Sequence, residues 1–379
     1  MPNTVTLSNW RKAPYSTRSF HTVDKLIPVS RIEASDRVWD LAAEPRSLDS
    51  LVFEDQYGRE RQLPEVLDAT ATRGLVVFQK GCLVAEQYDA GYDGTTPHIL
   101  FSVSKSLTGA MAGVLVERGL LDPESPVTNY VPEVANSAYG DCSVRHVLDM
   151  TVSSSFSEQY VDLSGDYGRY RRATLWEPAL PGKAPETLHG LIASLSRAPE
   201  PHGEIFRYLS PNSDFLGWLV ERASGQRFAD LFSSLIWKPM GAEASAYVTV
   251  DAEGSPRTAG GICVLPRDLA RFGEMMRLGG KGILPDWWVE DIRSGGDSAP
   301  WQKGDMIHLF PAGRYRSKWY QTGNASGAFC GIGIHGQWLW IDPQREVVIA
   351  KVSAQAEPVN DDMDMLLILA FEAIAESVG

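Results

Sequence analysis

Ser102 and Lys105 stand three residues apart in Ser102-Val103-Ser104-Lys105, at the head of a long segment with helical periodicity. A serine hydroxyl is a poor nucleophile until a neighbour takes its proton or stabilises its alkoxide. Residues three apart share a helix face, so this spacing holds an amine against the hydroxyl through backbone geometry. The helix start adds unpaired N–H groups and the positive end of the helix dipole. Ser104 and Ser106 adjoin Lys105 and point to other faces, which leaves Ser102 as the serine placed for activation. Taken alone, so short a motif is more simply read as a polar helix start, with Ser102 as cap and Lys105 solvated.

Two further stretches carry reactive types. Tyr208-Leu209-Ser210-Pro211-Asn212 precedes a helix whose apolar stripe is Phe215, Leu216, Leu219 and Val220. One reading makes Ser210 the cap, Pro211 the first helical residue and Tyr208 a staple. The other sets a phenol beside an ammonium, which lowers its pKa and lets the phenolate act as general base. Local sequence leaves the two level. The third stretch, Gly331-Ile332-Gly333-Ile334-His335-Gly336, leads into a strand. Its glycines permit close backbone approach and an N–H aimed at a developing oxyanion, or mark an ordinary bulge.

The elements that must position these groups are legible in outline. Residues 74–79 and 82–88 form a hairpin turning at Lys80-Gly81. Ser102 to Gly119 reads as a helix with Val103, Leu107, Ala110, Met111, Val114 and Leu115 on one stripe. Helices follow at Val144 to Met150 and Asn212 to Ser224. Strands return at 336–341 and 346–352 around Asp342-Pro343-Gln344-Arg345, and a helix through Met363 to Ala375 closes the pattern. Residues 1–70 read as an irregular wrap with one short helix. Strands early and late with helices between predict an α/β plus all-α architecture. One antiparallel sheet flanked by helices, built from 1–101 and 251–379, carries an inserted, mainly helical lobe at 102–250.

Bulk properties narrow the function. A net charge of −13 over 379 residues argues against nucleic acid and anionic membrane as partners. No apolar run reaches membrane-spanning length, and the start has no basic stretch followed by an apolar core. Cys82, Cys142, Cys263 and Cys330 are widely spaced, as expected of reduced thiols in a cytoplasmic protein. Gly-x-Ser-x-Gly is missing, as are phosphate-loop and dinucleotide fingerprints. The seven histidines show no paired ligand spacing, so neither a metal nor another cofactor is expected.

In this order and at these separations, the three stretches resemble the serine hydrolases of the class C β-lactamase and penicillin-recognising fold. Within that group the chain resembles the 6-aminohexanoate-dimer hydrolases and related esterases. The likeness runs from about residue 74 onward. It includes Ser102-Val103-Ser104-Lys105-Ser106-Leu107, Val147-Leu148-Asp149-Met150, Tyr160-Val161-Asp162, Arg267-Asp268-Leu269-Ala270-Arg271 and Gly331 to Gln337. The resemblance implies a β-lactamase/transpeptidase-like fold and an acyl-enzyme on Ser102, with Lys105 as activator and Tyr208 as proton shuttle. It implies an oxyanion hole from the N–H groups of Ser102 and Ile334. It places Tyr160 on a loop closing over substrate, and Trp176, Trp319 and Tyr320 where that group lines its pocket, although each aromatic reads equally as core. His335 adjoins the oxyanion strand and is a candidate for substrate contact, but a packed histidine at a strand start is the simpler reading. The substrate is then a small ester or amide; homodimerisation stays open.

Two departures bear on specificity. Gly331-Ile332-Gly333 lacks the cation that penicillin-recognising enzymes carry there, which weighs against a β-lactamase or D-alanyl-D-alanine carboxypeptidase. A non-catalytic binding member of the fold has no reason to keep an activated serine. The basic tract Gly168-Arg169-Tyr170-Arg171-Arg172, with Ala259 where that group often has a polar side chain, argues against a pocket for a protonated amine. Anionic or neutral esters stand beside amides as expected substrates.

Overall fold

Gly74-Leu75-Val76-Val77-Phe78 is apolar at every position rather than alternating, which is what a strand covered on both faces requires. The structure, a computed structural model, describes residues 4–183 and 186–379. In it this run is β4 (Thr72–Gln79), inside a seven-stranded antiparallel sheet. Its neighbours are β5 (Cys82–Tyr88) on one side and β13 (Val347–Ser353) on the other. Beyond β13 follow β12 (Gln337–Asp342), β11 (Phe329–Gly333), β10 (Trp319–Gln321) and β9 (Arg314–Arg316). Side chains alternate between faces. Leu75, Val77 and Ile349 meet the last helix, Asp361–Val378, through Leu367, Phe371 and Ile374. Val76, Phe78 and Val348 meet the helix Pro266–Arg277 through Leu269, Phe272 and Met276. At the β4–β5 turn Lys80 and Gly81 both have positive φ, 51° and 79°, the pair a tight two-residue hairpin needs.

The N-terminal stretch is more ordered than an irregular wrap. It holds short helices at Ser16–Ser19 and Leu63–Ala69, a hairpin of β2 (Val52–Glu54) and β3 (Glu60–Gln62), and β1 (Val29–Ile32). β1 joins a second antiparallel sheet with β7 (Ala246–Thr249), β8 (Ile262–Val264) and β6 (His98–Ile99). Strands this short carry little periodicity, and β1 is set by pairing with residues more than two hundred positions away. The 250/251 boundary falls between β7 and β8, which pair with each other. Among the described residues, the elements from 103 to 240 are all helices, joined by loops.

The helix Val103–Glu117 corrects the one-stripe expectation: it is buried all round from Val103 to Leu115. Two glycines make that possible. A Cβ on Gly109 would lie 2.1 Å from the Ser317 carbonyl, and one on Gly113 would lie 2.3 Å from the Trp288 ring. The helix therefore runs through the centre of the molecule and presents its first turn where the two sheets meet.

Candidate active site

The turn before Ser102 is strained. Phe101 has φ +43°, a conformation unfavourable for a bulky side chain. Packing holds it: Phe101 meets Phe20 at 4.9 Å, Trp176 at 5.8 Å and Trp10 at 6.2 Å between ring centroids. The first helical turn then begins at Val103 with no cap bond from the Ser102 side chain. That leaves the hydroxyl to Lys105, whose Nζ donates to Ser102 Oγ at 2.7 Å and to the Ala259 carbonyl at 2.7 Å. The solvated-lysine reading is excluded, because Lys105 is 1% exposed. Burial pulls its pKa down to about 7, with Glu158 opposing and Arg257 assisting the shift.

Ala259 explains itself here: its backbone, rather than a side chain, meets the amine. Its N–H donates to Asp214 Oδ1 at 2.7 Å, and Asp214 in turn pairs with Arg257 and accepts from the Tyr170 hydroxyl. Arg257 lies over the rings of Tyr170 at 4.2 Å and Trp176 at 4.8 Å. This paired charge, buried and hydrogen-bonded on both sides, fixes the carbonyl that orients Lys105.

Tyr208 enters from the loop before the helix Pro211–Ser224. The Ser102 and Tyr320 side chains lie near its hydroxyl, and Lys105 Nζ lies 5.0 Å from its ring centroid. The expected lowering of its pKa is corrected: burial raises the phenol above its usual range, and the neighbouring Ser102 and Tyr320 do not offset that. Near neutrality Tyr208 is a phenol, and Lys105 is the group that titrates. Ser210 does not cap its helix. Its N–H and hydroxyl both donate to Glu158 instead, and the Tyr160 hydroxyl donates to Glu158 Oε1 at 3.1 Å. Burial raises the Glu158 pKa, opposed by Lys105. Sequence reading missed Glu158, which lies in an aperiodic serine-rich loop; its one signal is an acid two residues before Tyr160.

The third stretch meets the nucleophile at the end of β11. A Cβ on Gly333 would fall 2.5 Å from the Leu100 carbonyl and 3.0 Å from the Ser102 nitrogen, and one on Gly331 would fall 2.7 Å from Ser106 Oγ. Only glycine lets this strand end lie against the helix start. Ser102 and Ile334 then line one cavity of about 620 Å³ together with Glu158, Tyr160, Tyr208 and Tyr320.

Other expected pocket residues lie elsewhere. Trp319 is fully buried in the core, stacked on Phe272 and edge-on to Phe329. Trp176 belongs to the aromatic packing behind Phe101, not to the cavity wall. His335 is a packed histidine: its Nδ1 pairs with the Gln355 carbonyl at 2.7 Å, and burial lowers its pKa to about 4. The basic tract also turns away from the catalytic cavity. Arg169 binds Glu186 and Ser194, Arg171 binds Glu177, and Arg172 donates to the Leu163 carbonyl. The charges that line the cavity beyond Glu158 are Asp305, Asp361 and Asp364 against Arg207 and Lys303, and Arg207 is paired with Glu200.

Comparison with known proteins agrees with this geometry. The beta-lactamase family profile matches residues 53–372. The chain belongs to the beta-lactamase family. It is 37% identical over 358 residues to a 6-aminohexanoate-dimer hydrolase of Paenarthrobacter ureafaciens, covering 93% of this chain and 89% of that protein. It is 30% identical over 223 residues to esterase EstB of Burkholderia gladioli, covering 56% of this chain and 54% of that one. A Bacillus anthracis structure provisionally named 6-aminohexanoate-dimer hydrolase superposes with TM-score 0.90 at 26% identity, over 100% of this chain and 98% of that one. Within the beta-lactamase family this chain is thus a serine hydrolase of the amidase and carboxylesterase kind. No helix among its described residues is long and apolar enough to cross a membrane.

Proposed function

We propose that this hydrolase cleaves a small ester or amide through an acyl-enzyme on Ser102. The observation that carries the reading is the 2.7 Å contact of a buried, neutral-leaning Lys105 amine with the Ser102 hydroxyl, at the floor of an open cavity. The neutral amine takes the serine proton as Oγ bonds to the substrate carbonyl carbon. The resulting oxyanion faces the N–H groups of Ser102 and Ile334. Tyr208 protonates the leaving nitrogen or oxygen as its bond to carbon breaks, and the Lys105 ammonium restores the phenol. Water then enters by the same path in reverse and frees the acid.

The substrate class follows from the cavity and from the relatives' names. With the arginines of 169–172 held by partners outside it, and three aspartates on its lining against Lys303 and the Glu200-paired Arg207, the cavity suits a substrate bearing an amine. Linear aminohexanoate amides are therefore substrates in this reading, beside short-chain carboxylic esters. The four free cysteines suit a cytoplasmic enzyme. A fluorophosphonate probe tests the proposal directly. One adduct per chain, located on Ser102 by mass spectrometry, is expected, and equal labelling of Ser102→Ala ends it.

A further inference from the structure

Beside the catalytic cavity lies a second one of about 500 Å³. Tyr160 and Pro358 line both, and the end of β11 divides between them: Ile334 lines the catalytic cavity and His335 the second. The two chambers thus share a tyrosine wall directly beside the proposed oxyanion N–H. Three cations line the second chamber, Arg11, Lys12 and Arg171, against Glu177 and the exposed Glu357.

The arginines are under-partnered. Arg171 bonds Glu177 Oε1, and Arg11 Nη2 lies 3.6 Å from that same oxygen. One carboxylate oxygen therefore serves two guanidiniums whose side chains are each only 10% exposed. Arg11 also interacts with Tyr167 and lies over the rings of Trp10 at 5.6 Å and Trp176 at 6.0 Å, but Glu177 is the one carboxylate paired with it among the described residues. The Nε atoms of both arginines are buried with no acceptor among the described residues. Guanidinium forks match carboxylates geometrically, and such charge-assisted pairs are the strong ones. Lys12, solvent-exposed at the same chamber, is free to close on a bound anion.

Resting on the hydrolase reading above, we propose that this chamber is a carboxylate-binding subsite of the same active site. One arm of the substrate passes Tyr160 and ends in a carboxylate held by Arg11, Arg171 and Lys12. The favoured substrate then carries a carboxylate at one end of the chain whose ester or amide reaches Ser102.

Matched probes test each arm. p-Nitrophenyl hydrogen adipate and p-nitrophenyl hexanoate differ only in the carboxylate on the acyl side. 6-Aminohexanoate and hexylamine, compared by calorimetry, do the same for the leaving side without needing turnover. At least one pair is expected to favour its carboxylate member by about tenfold or more in KM or Kd. Arg11→Gln and Lys12→Gln should each shrink that ratio, and the double variant should bring it near one. Because Lys12 is exposed, its variant reads the subsite even if Arg11→Gln fails to fold. No preference in the wild type, or a preference that survives the double variant, overturns the subsite. Loss of fluorophosphonate labelling with the calorimetric preference intact would instead remove the hydrolase reading and leave the anion site standing.

Discussion

The two walls around Ser102 are built differently. One consists of regular elements: the buried helix Val103–Glu117, set against Ser317 and Trp288 at glycines 109 and 113, and the end of β11, brought against the helix start by glycines 331 and 333. The other consists of loops bearing Glu158, Tyr160, Tyr208 and Asp305, which meet through hydrogen bonds among side chains and backbone. In the proposed mechanism the first wall fixes where a proton leaves and where an oxyanion forms, and its glycines leave no room for an added Cβ. The second decides what fits above. Rigid scaffold for chemistry and loops for selection is a common division of labour, and here the boundary between them is Ser102 itself.

If that division is right, substitutions in the first wall should lower turnover far more than those in the second. Lys105→Met removes the amine that accepts the serine proton, and kcat should fall by about 10²–10⁴ in a p-nitrophenyl ester assay with the fold intact by circular dichroism. Gly333→Ala forces a Cβ toward the Ser102 nitrogen. Its kcat should drop by about 10²–10³, the weight of one oxyanion donor, with KM little changed. A large KM effect with kcat preserved would place the strand end in binding instead.

The electrostatics of the loop wall are open to a pH profile. Lys105 must be neutral to act, and burial brings its pKa to about 7, so kcat/KM should rise with pH through about 7 and then level. A phenolate base would put that rise above pH 10 instead. Glu158 holds the amine's pKa up, so Glu158→Gln should move the rise to lower pH. A shift the other way would mean the carboxyl does not face the amine as a charge. The smallest effect belongs outside both walls. Arg169→Gln breaks a half-exposed pair with Glu186 and should cost no more than about 1 kcal/mol of stability. It should leave KM for an amine-bearing amide within twofold, whereas a tighter KM would bring Arg169 into the site.

The first wall was also the legible one. Ser102 and Lys105 are neighbours on one helix turn, and the glycine run before Gln337 announces close backbone approach, so short-range geometry suffices for both. Tyr320 was placed by family likeness. For Trp176 and Trp319 the core reading, left level with the pocket one, is what the structure has, because a tryptophan in sequence does not say whether it faces a cavity or a core. Glu158 was invisible, since its partners Ser210 and Lys105 lie more than fifty residues away on either side and the loop between has no period. The sign of the Tyr208 shift failed for a related reason: a nearby cation can be guessed from a motif, but the depth of burial that outweighs it cannot.

What the chain dictated by itself was local and repetitive: apolar runs long enough to be strands covered twice, a helix opening on Ser-x-x-Lys, and glycine where backbones touch. These follow from side-chain volume and backbone freedom over a few residues. Tertiary structure decided the rest. Desolvation brings the Lys105 pKa down to about 7, the carbonyl of Ala259 is aimed by a buried Arg257–Asp214 pair, and the arginines of 169–172 are drawn off the catalytic cavity by partners elsewhere. Burial and charge pairing depend on everything within several ångströms, and no window of sequence contains that neighbourhood.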